Sequence, residues 1–156
     1  MTNEIRCSVE VRQDDTRQSP GRLVGTLLRY GERAGDRAEL FEADSLTWPE
    51  DGIVLRRQHS RSAPIARVVP EVRDGAVVLD TLLPDTQAGR DAAAEIRSGL
   101  FAGLSVEFRA RRQRYAGGVR RIVNAVLTGA GLVDNPCYRG SRVELRGRTG
   151  GRRVWL

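Results

Sequence analysis

The sequence contains no lysine, one histidine and two cysteines, and aromatic residues make up only 5% of its 156 positions. Cys7 and Cys137 are far apart in the sequence and lack CxxC spacing, and His59 is the only histidine. The sequence therefore lacks the ligands of an ordinary zinc site. No run of about 18 apolar residues occurs, which excludes a membrane-spanning helix. The amino-terminal MTNEIRCSVEV has no basic-then-apolar signal pattern, so we expect a cytoplasmic chain with reduced thiols.

All 26 basic residues are arginine, and they are unevenly distributed. Residues 1–108 hold 14 arginines and 18 Asp or Glu residues (net −4), whereas residues 109–156 hold 12 arginines and two acids, Asp134 and Glu144 (net +10). Coding bias towards GC-rich codons explains the use of arginine, but it does not separate charge along a chain. The basic part therefore indicates either an acidic partner, nucleic acid or protein, or a solvated and partly disordered tail.

Alternation of polar and apolar residues with period two dominates the chain and predicts short β-strands. An Asp-Gly pair at 74–75 and the AGG segment at 116–118 separate such runs and predict two tight hairpins. In the run before 116–118, one predicted face carries Val106, Phe108 and Ala110, and the opposite face carries Ser105, Glu107 and Arg109. The predicted strands cover residues 4–12, 22–31, 53–60, 64–72, 76–83, 104–115, 119–134 and 141–146. Residues 38–48 carry mixed signals that fit a strand followed by an irregular segment.

One segment, DTQAGRDAAAEIRSGL (85–100), departs from this alternation. It starts with capping residues, contains three consecutive alanines, and places Ala92, Ile96 and Leu100 at helical spacing on one face. It therefore predicts one clear helix, at about 86–99.

Together these patterns predict a β-rich α+β fold of antiparallel or barrel type. We see no internal repeat and no long linker, so we expect one domain over residues 1–146, followed by a flexible basic tail at 147–156.

Two residues are candidates for chemistry. His59 lies at the end of a predicted strand, and imidazole is the side chain best suited to move protons near neutral pH. Ser105 lies where the predicted helix gives way to a strand, so its hydroxyl could become a nucleophile if a base reached it. Taken alone, each has an ordinary alternative as a surface or hydrogen-bonded side chain. Cys7 and Cys137 lack a neighbouring histidine or helix N-terminus and are predicted to be buried or incidental thiols.

Three blocks of the chain, which lie within residues 20–146, resemble the tailed-phage prohead serine proteases, a capsid maturation family related to herpesvirus assemblin. QHSRSAPIAR (58–67) is similar to the family's HD…PIGR segment. LLPDTQAGRDAAAEIRSGLFAGLSVEFRA (82–110) is similar to its DTxxGRDxxxxIxxGxxxGLSxGF block. RRIVNAVLTGAGLVDNPCY (120–138) resembles its LxEVSLVxxPAY strand.

The resemblance implies an assemblin-like β-barrel with a flanking helix, and a serine endopeptidase with no cofactor and no metal. It implies Ser105 as the nucleophile and His59 as the general base. The family's glutamate aligns with Gly129, which cannot orient an imidazole, so the third member of the site is unassigned. The acids from Ser105 onward are Glu107, which shares the predicted strand face of Ser105, and Asp134 and Glu144.

The resemblance also implies substrates and a place of action. The substrates would be scaffold regions of the major capsid protein and the enzyme itself, inside immature phage capsids in the cytoplasm of the bacterial host. No membrane partner is expected, since the chain lacks a long apolar run, and the resemblance leaves a homo-oligomer open. Two alternatives remain: a catalytically weakened or inactive capsid-assembly module of the same fold, motivated by Gly129, and a basic β domain that binds nucleic acid through 109–121. The single Tyr115 in that hairpin gives little support for base stacking, so nucleic acid is not favoured.

Overall fold

A computed structural model describes residues 19–34, 38–135 and 141–146. These ranges contain ten strands and one helix. They are β1 (Arg22–Arg29), β2 (Glu39–Phe41), β3 (Leu46–Thr47), β4 (Ile53–Arg57), β5 (Pro64–Val68), β6 (Glu71–Arg73), β7 (Ala76–Leu82), α1 (Gln87–Arg97), β8 (Gly103–Ala116), β9 (Val119–Val133) and β10 (Arg142–Arg146). The predicted strand at 4–12, both cysteines and the predicted tail at 147–156 lie outside the described residues.

The strands form two sheets. The first is antiparallel in the order β10-β1-β7-β6. The second is organised around β9, which pairs in parallel with β2, β3 and β4 and antiparallel with β8, while β5 pairs with β4. This arrangement confirms the β-rich α+β class with one helix. The expected barrel is not confirmed, because the two sheets of the described chain keep separate edge strands and do not close on each other.

One apolar cluster joins both sheets to the helix. Its fully buried members include Leu23 and Leu79 from the first sheet and Leu55, Leu127 and Leu132 from the second. The face of β8 with alternating apolar residues, predicted from period two, also packs against this cluster. The opposite face of β8 is therefore turned away from the core, and the candidate site lies there.

Both predicted hairpins are confirmed. Asp74 and Gly75 connect β6 to β7 with φ values of 49° and 73°, and Gly117 and Gly118 connect β8 to β9 with 58° and 75°. Two consecutive residues with positive φ turn the chain with the twist that antiparallel strands need, and glycine adopts this conformation without steric cost. The second hairpin sets the long pairing of β8 with β9 on which the site depends.

The predicted helix is confirmed as α1, with Thr86 as its N-cap. The Thr86 hydroxyl accepts a hydrogen bond from the Gly89 N–H at 3.0 Å. The helix ends at Arg97, two residues before the predicted end, because Gly99 takes a positive φ of 79°. Leu100 was expected on the apolar helical face, but it lies beyond the helix and is 53% exposed. Within the described residues no helix has the length and apolar character needed to cross a membrane.

Gly89 should resist replacement although it lies inside a helix. Alanine normally stabilises a helix interior by about 1 kcal/mol relative to glycine. Here a Cβ at position 89 would overlap the backbone carbonyl oxygen of Pro84, which cannot swing aside as a side chain can. We therefore expect Gly89→Ala to lower the free energy of unfolding by about 1–3 kcal/mol, the range for overpacked sites, measured by denaturant titration.

The matched control is Ala94→Gly, at an exposed position of the same helix. It makes the reverse exchange, from alanine to glycine. It should lower the free energy of unfolding only by the difference in helix propensity, about 1 kcal/mol. A stabilised Gly89→Ala variant would show that the segment at Pro84 yields to the new methyl group.

Candidate functional site

His59 is carried by a tight turn at the end of β4. The turn runs from Arg57 to Ser60, whose N–H donates to the Arg57 carbonyl at 2.9 Å, and its two central residues, Gln58 and His59, have φ values of 48° and 59°. Positive φ is uncommon outside glycine and costs free energy, so the surroundings must hold it. The Gln58 N–H donates to the Leu132 carbonyl at 2.9 Å, which fastens the turn to β9.

The imidazole of His59 lies against Gly131 of β9. A Cβ atom built on Gly131 would be 2.7 Å from Cε1, 2.8 Å from Nδ1 and 2.9 Å from Nε2 of the ring. All three distances are shorter than van der Waals contact, so the ring occupies space that any other residue at position 131 would fill. Gly131 is thus a condition for the observed position of the ring.

Ser105 is paired with Gly131 across the antiparallel β8–β9 ladder. Directly opposed residues of such a pair project from the same face of the sheet, with Cβ atoms about 4.5–5.5 Å apart. Because the His59 ring fills the Cβ position of Gly131, the Ser105 side chain and the ring are neighbours on that face. The structure thereby brings together the two residues that the sequence singled out, from elements 46 positions apart in the chain.

Glu107 lies on the same face, two residues along β8, and is paired with Gly129. Its Oε1 is 2.9 Å from Nδ1 of His59, and its Oε2 is 3.1 Å from Nη1 of Arg56. Arg56 is aligned with Gly131 on the other side of β9, through the parallel pairing of β4. A strip of the sheet face therefore holds a hydroxyl, an imidazole, a carboxylate and a guanidinium, with two glycines between them.

The other acids considered from the sequence lie elsewhere. Asp134 is exposed immediately after β9. Glu144 is on β10 in the other sheet, opposite Val24, with its carboxylate 3.7 Å from Arg146. Sequence reasoning named Glu107 among the acids but did not assign it, and it missed Arg56. The parallel pairing of β4 with β9 is what brings Arg56 next to Glu107, and no local sequence pattern indicates that pairing.

The contact between His59 and Glu107 limits which tautomer of the imidazole can form this hydrogen bond. An ionised carboxylate only accepts, so the contact of Nδ1 with Glu107 requires the hydrogen on Nδ1. In the neutral ring, Nε2 then keeps its lone pair and can take a proton from a hydroxyl. Nucleophile, base and base-orienting carboxylate are the three parts of a Ser–His–acid site.

The arginine-rich hairpin of β8 and β9 is partly neutralised by carboxylates of β2 and the residue after it. Arg114 and Arg121 contact Glu42 at 2.7 and 3.0 Å, and Arg120 contacts Glu39 at 2.7 Å. Hydrogen bonds from Arg121 and Arg114 lower the pKa of Glu42, which keeps it ionised. Three of the six arginines in 109–121 thus have carboxylate partners from the acidic part of the sequence. In the folded chain these carboxylates offset part of the positive charge of the hairpin.

A comparison with protein families identifies the part of the chain that carries this strip. Residues 45–152 match a family model described as caudovirus prohead serine protease. The match spans more than half of the chain and runs from the residue before β3 through β10, so it includes every residue of the strip on β4, β8 and β9. Neither a curated protein nor a solved structure matches the chain.

Proposed function

The chain belongs to the caudovirus prohead serine protease family, and from this premise we propose that it is a capsid maturation endopeptidase with Ser105 as nucleophile and His59 as general base. The observation that carries the proposal is the His59 ring against Gly131, directly opposite Ser105. Its substrates would be scaffold regions of the major capsid protein and its own chain. It would act inside immature capsids of a phage or prophage in the bacterial host.

The geometry supports acyl transfer in two steps. Nε2 of His59 takes the hydroxyl proton while Oγ of Ser105 attacks the scissile carbonyl carbon. The tetrahedral intermediate collapses as the same proton passes to the leaving amine, which breaks the C–N bond and leaves an acyl-serine. A water molecule, deprotonated by the imidazole in turn, attacks the acyl carbon, and the proton returns to Ser105 as the carboxylate product leaves.

Two observations favour the protease over the alternatives. An inactive assembly module was motivated by Gly129, yet a carboxylate contacts His59 from Glu107 instead. A nucleic-acid-binding domain was motivated by the basic hairpin, yet half of its arginines contact Glu39 or Glu42. Neither assembly nor nucleic-acid binding requires a hydroxyl, an imidazole and a carboxylate on one strip of the sheet, whereas a serine protease does.

Co-expression with the major capsid protein of the same phage tests the proposal. We expect the wild-type chain to shorten the capsid protein and Ser105→Ala to leave it at full length, as followed by gel electrophoresis and mass spectrometry. Ser98→Ala, at the exposed end of α1, is the matched control and should process normally. Equal shortening by wild type and Ser105→Ala would refute the enzyme, and stable binding without any shortening would favour the assembly module.

A further inference from the structure

We propose that Glu107 is the positioning residue for His59, and that Gly129 is glycine because the Glu107 carboxylate needs its space. The carboxylate would hold the imidazole with the hydrogen on Nδ1 and the Nε2 lone pair available to Ser105. The catalytic consequence rests on the proposed protease function. The orienting role itself follows from contacts within this chain.

Glu107 is held at both carboxylate oxygens. Oε1 contacts Nδ1 of His59 at 2.9 Å, and Oε2 contacts Nη1 of Arg56 at 3.1 Å. The side chains of Glu107 and Arg56 are only 25% and 23% exposed, so water screens the pair less than at an open surface. Because Arg56 fixes one oxygen, the other oxygen is directed at the imidazole, and the carboxylate cannot rotate without losing both partners.

Gly129 and the Glu107 carboxylate compete for one volume. A Cβ on Gly129 would overlap Oε2 of Glu107 and lie 2.8 Å from Nη1 of Arg56. Since Glu107 and Gly129 are opposed across the β8–β9 ladder, both positions project to the same face. One acidic side chain fits there, and it can come from either strand.

This chain carries that side chain on the strand opposite to the one its family resemblance suggests. In the similar motifs, GLSxGF has glycine where this chain has Glu107, and LxEVSLV has glutamate where this chain has Gly129. The two residue types are exchanged across one pair of the ladder. An exchange of this kind keeps a single carboxylate beside His59, whereas loss of the glutamate alone would leave the imidazole without an orienting acid.

A purely structural ion pair between Glu107 and Arg56 makes a different prediction. It would leave the tautomer of His59 unaffected by changes at position 107. The tautomer therefore separates an orienting role from a structural one, and because His59 is the only histidine, its ring nitrogens can be observed without ambiguity in ¹⁵N-labelled protein.

The experiment compares wild type with Glu107→Gln by NMR of the ring nitrogens. In wild type we expect the neutral ring to carry its hydrogen on Nδ1. In Glu107→Gln, Arg56 should retain the amide oxygen, so the amide NH₂ faces Nδ1 and moves the hydrogen to Nε2. Processing should fall by about 10⁴-fold through kcat, the size expected when a base is held in the wrong tautomer.

Glu144→Gln is the matched control, since it removes the same charge from an exposed site on the other sheet. It should change neither the tautomer nor the rate. An unchanged Nδ1–H tautomer in Glu107→Gln would overturn the inference, whatever the activity. If Ser105→Ala has no effect on processing, the protease proposal fails, and the tautomer still decides the role of Glu107.

The exchange itself can be reversed. Glu107→Gly combined with Gly129→Glu moves the carboxylate to β9 and should recover at least about tenfold of the rate lost in Glu107→Gly alone. A folded double variant with no recovery would contradict the interchangeability of the two positions.

Discussion

Replacing His59 with glutamine is expected to slow cleavage of the capsid protein by about 10⁶-fold, as much as replacing Ser105 with alanine. The chain contains no second histidine, so no other imidazole can take the proton from Ser105. Without a base the hydroxyl remains a weak nucleophile, and without the hydroxyl the base has no proton to move. Initial rates of processing by purified variants measure both losses.

The two losses should not add. Because the hydroxyl and the imidazole act as one unit, the double variant His59→Gln with Ser105→Ala should be about as slow as either single variant. Arg61→Gln, at an exposed residue just beyond the same turn, is the control and should keep the wild-type rate. Multiplied losses in the double variant would show that the two side chains act separately, against the proposed mechanism.

Replacing Gly131 with alanine is expected to reduce processing by about 10²-fold or more while the protein stays folded, since a displacement near 1 Å at a reacting group has about this cost. The new methyl group would enter the volume of the His59 ring, with three ring atoms within 2.9 Å of it. The ring is at the end of a partly exposed side chain and can turn away, so the strain is relieved at the expense of its position beside Ser105.

Two measurements separate this effect from unfolding. The melting temperature of Gly131→Ala should stay close to that of wild type, and the ring nitrogens of His59 should report an altered environment. Thr128→Ala, at an exposed position on the same strand, is the control for substitution on β9. Full activity in Gly131→Ala would mean that the ring need not occupy the space above residue 131 during catalysis.

Local patterns predicted the local structure of this chain. The alternation in β8, the Asp74-Gly75 turn and the Thr86 cap each depend on residues a few positions apart, and each is confirmed. The pairing of three separate strands with β9 depends on contacts between distant segments, which no local period encodes. The barrel, which the strand pattern left open and the family resemblance favoured, depends on how the two sheets meet, and it is this part of the fold that is not confirmed.

The same distinction applies to the site. Period two placed Ser105 and Glu107 on one strand face, but the partner of Glu107 depends on the register of β8 against β9. That ladder contains three register shifts, so counting back from the hairpin does not give the correct pairs. The contact between Glu107 and His59, and the part played by Gly129, therefore became visible only in three dimensions.

The central position of β9 also affects when the protein gains its function during synthesis. A nascent chain that has reached residue 118 already contains His59, Ser105 and Glu107, but it lacks the strand against which all three are aligned. Pairing β4 with β9 joins segments some 75 residues apart, a type of contact that forms late because its loop-closure entropy is large. Ribosome-bound fragments that end before β9 thus lack the strand on which the site is built, and the order of translation makes the assembly of the site one of the last steps of folding.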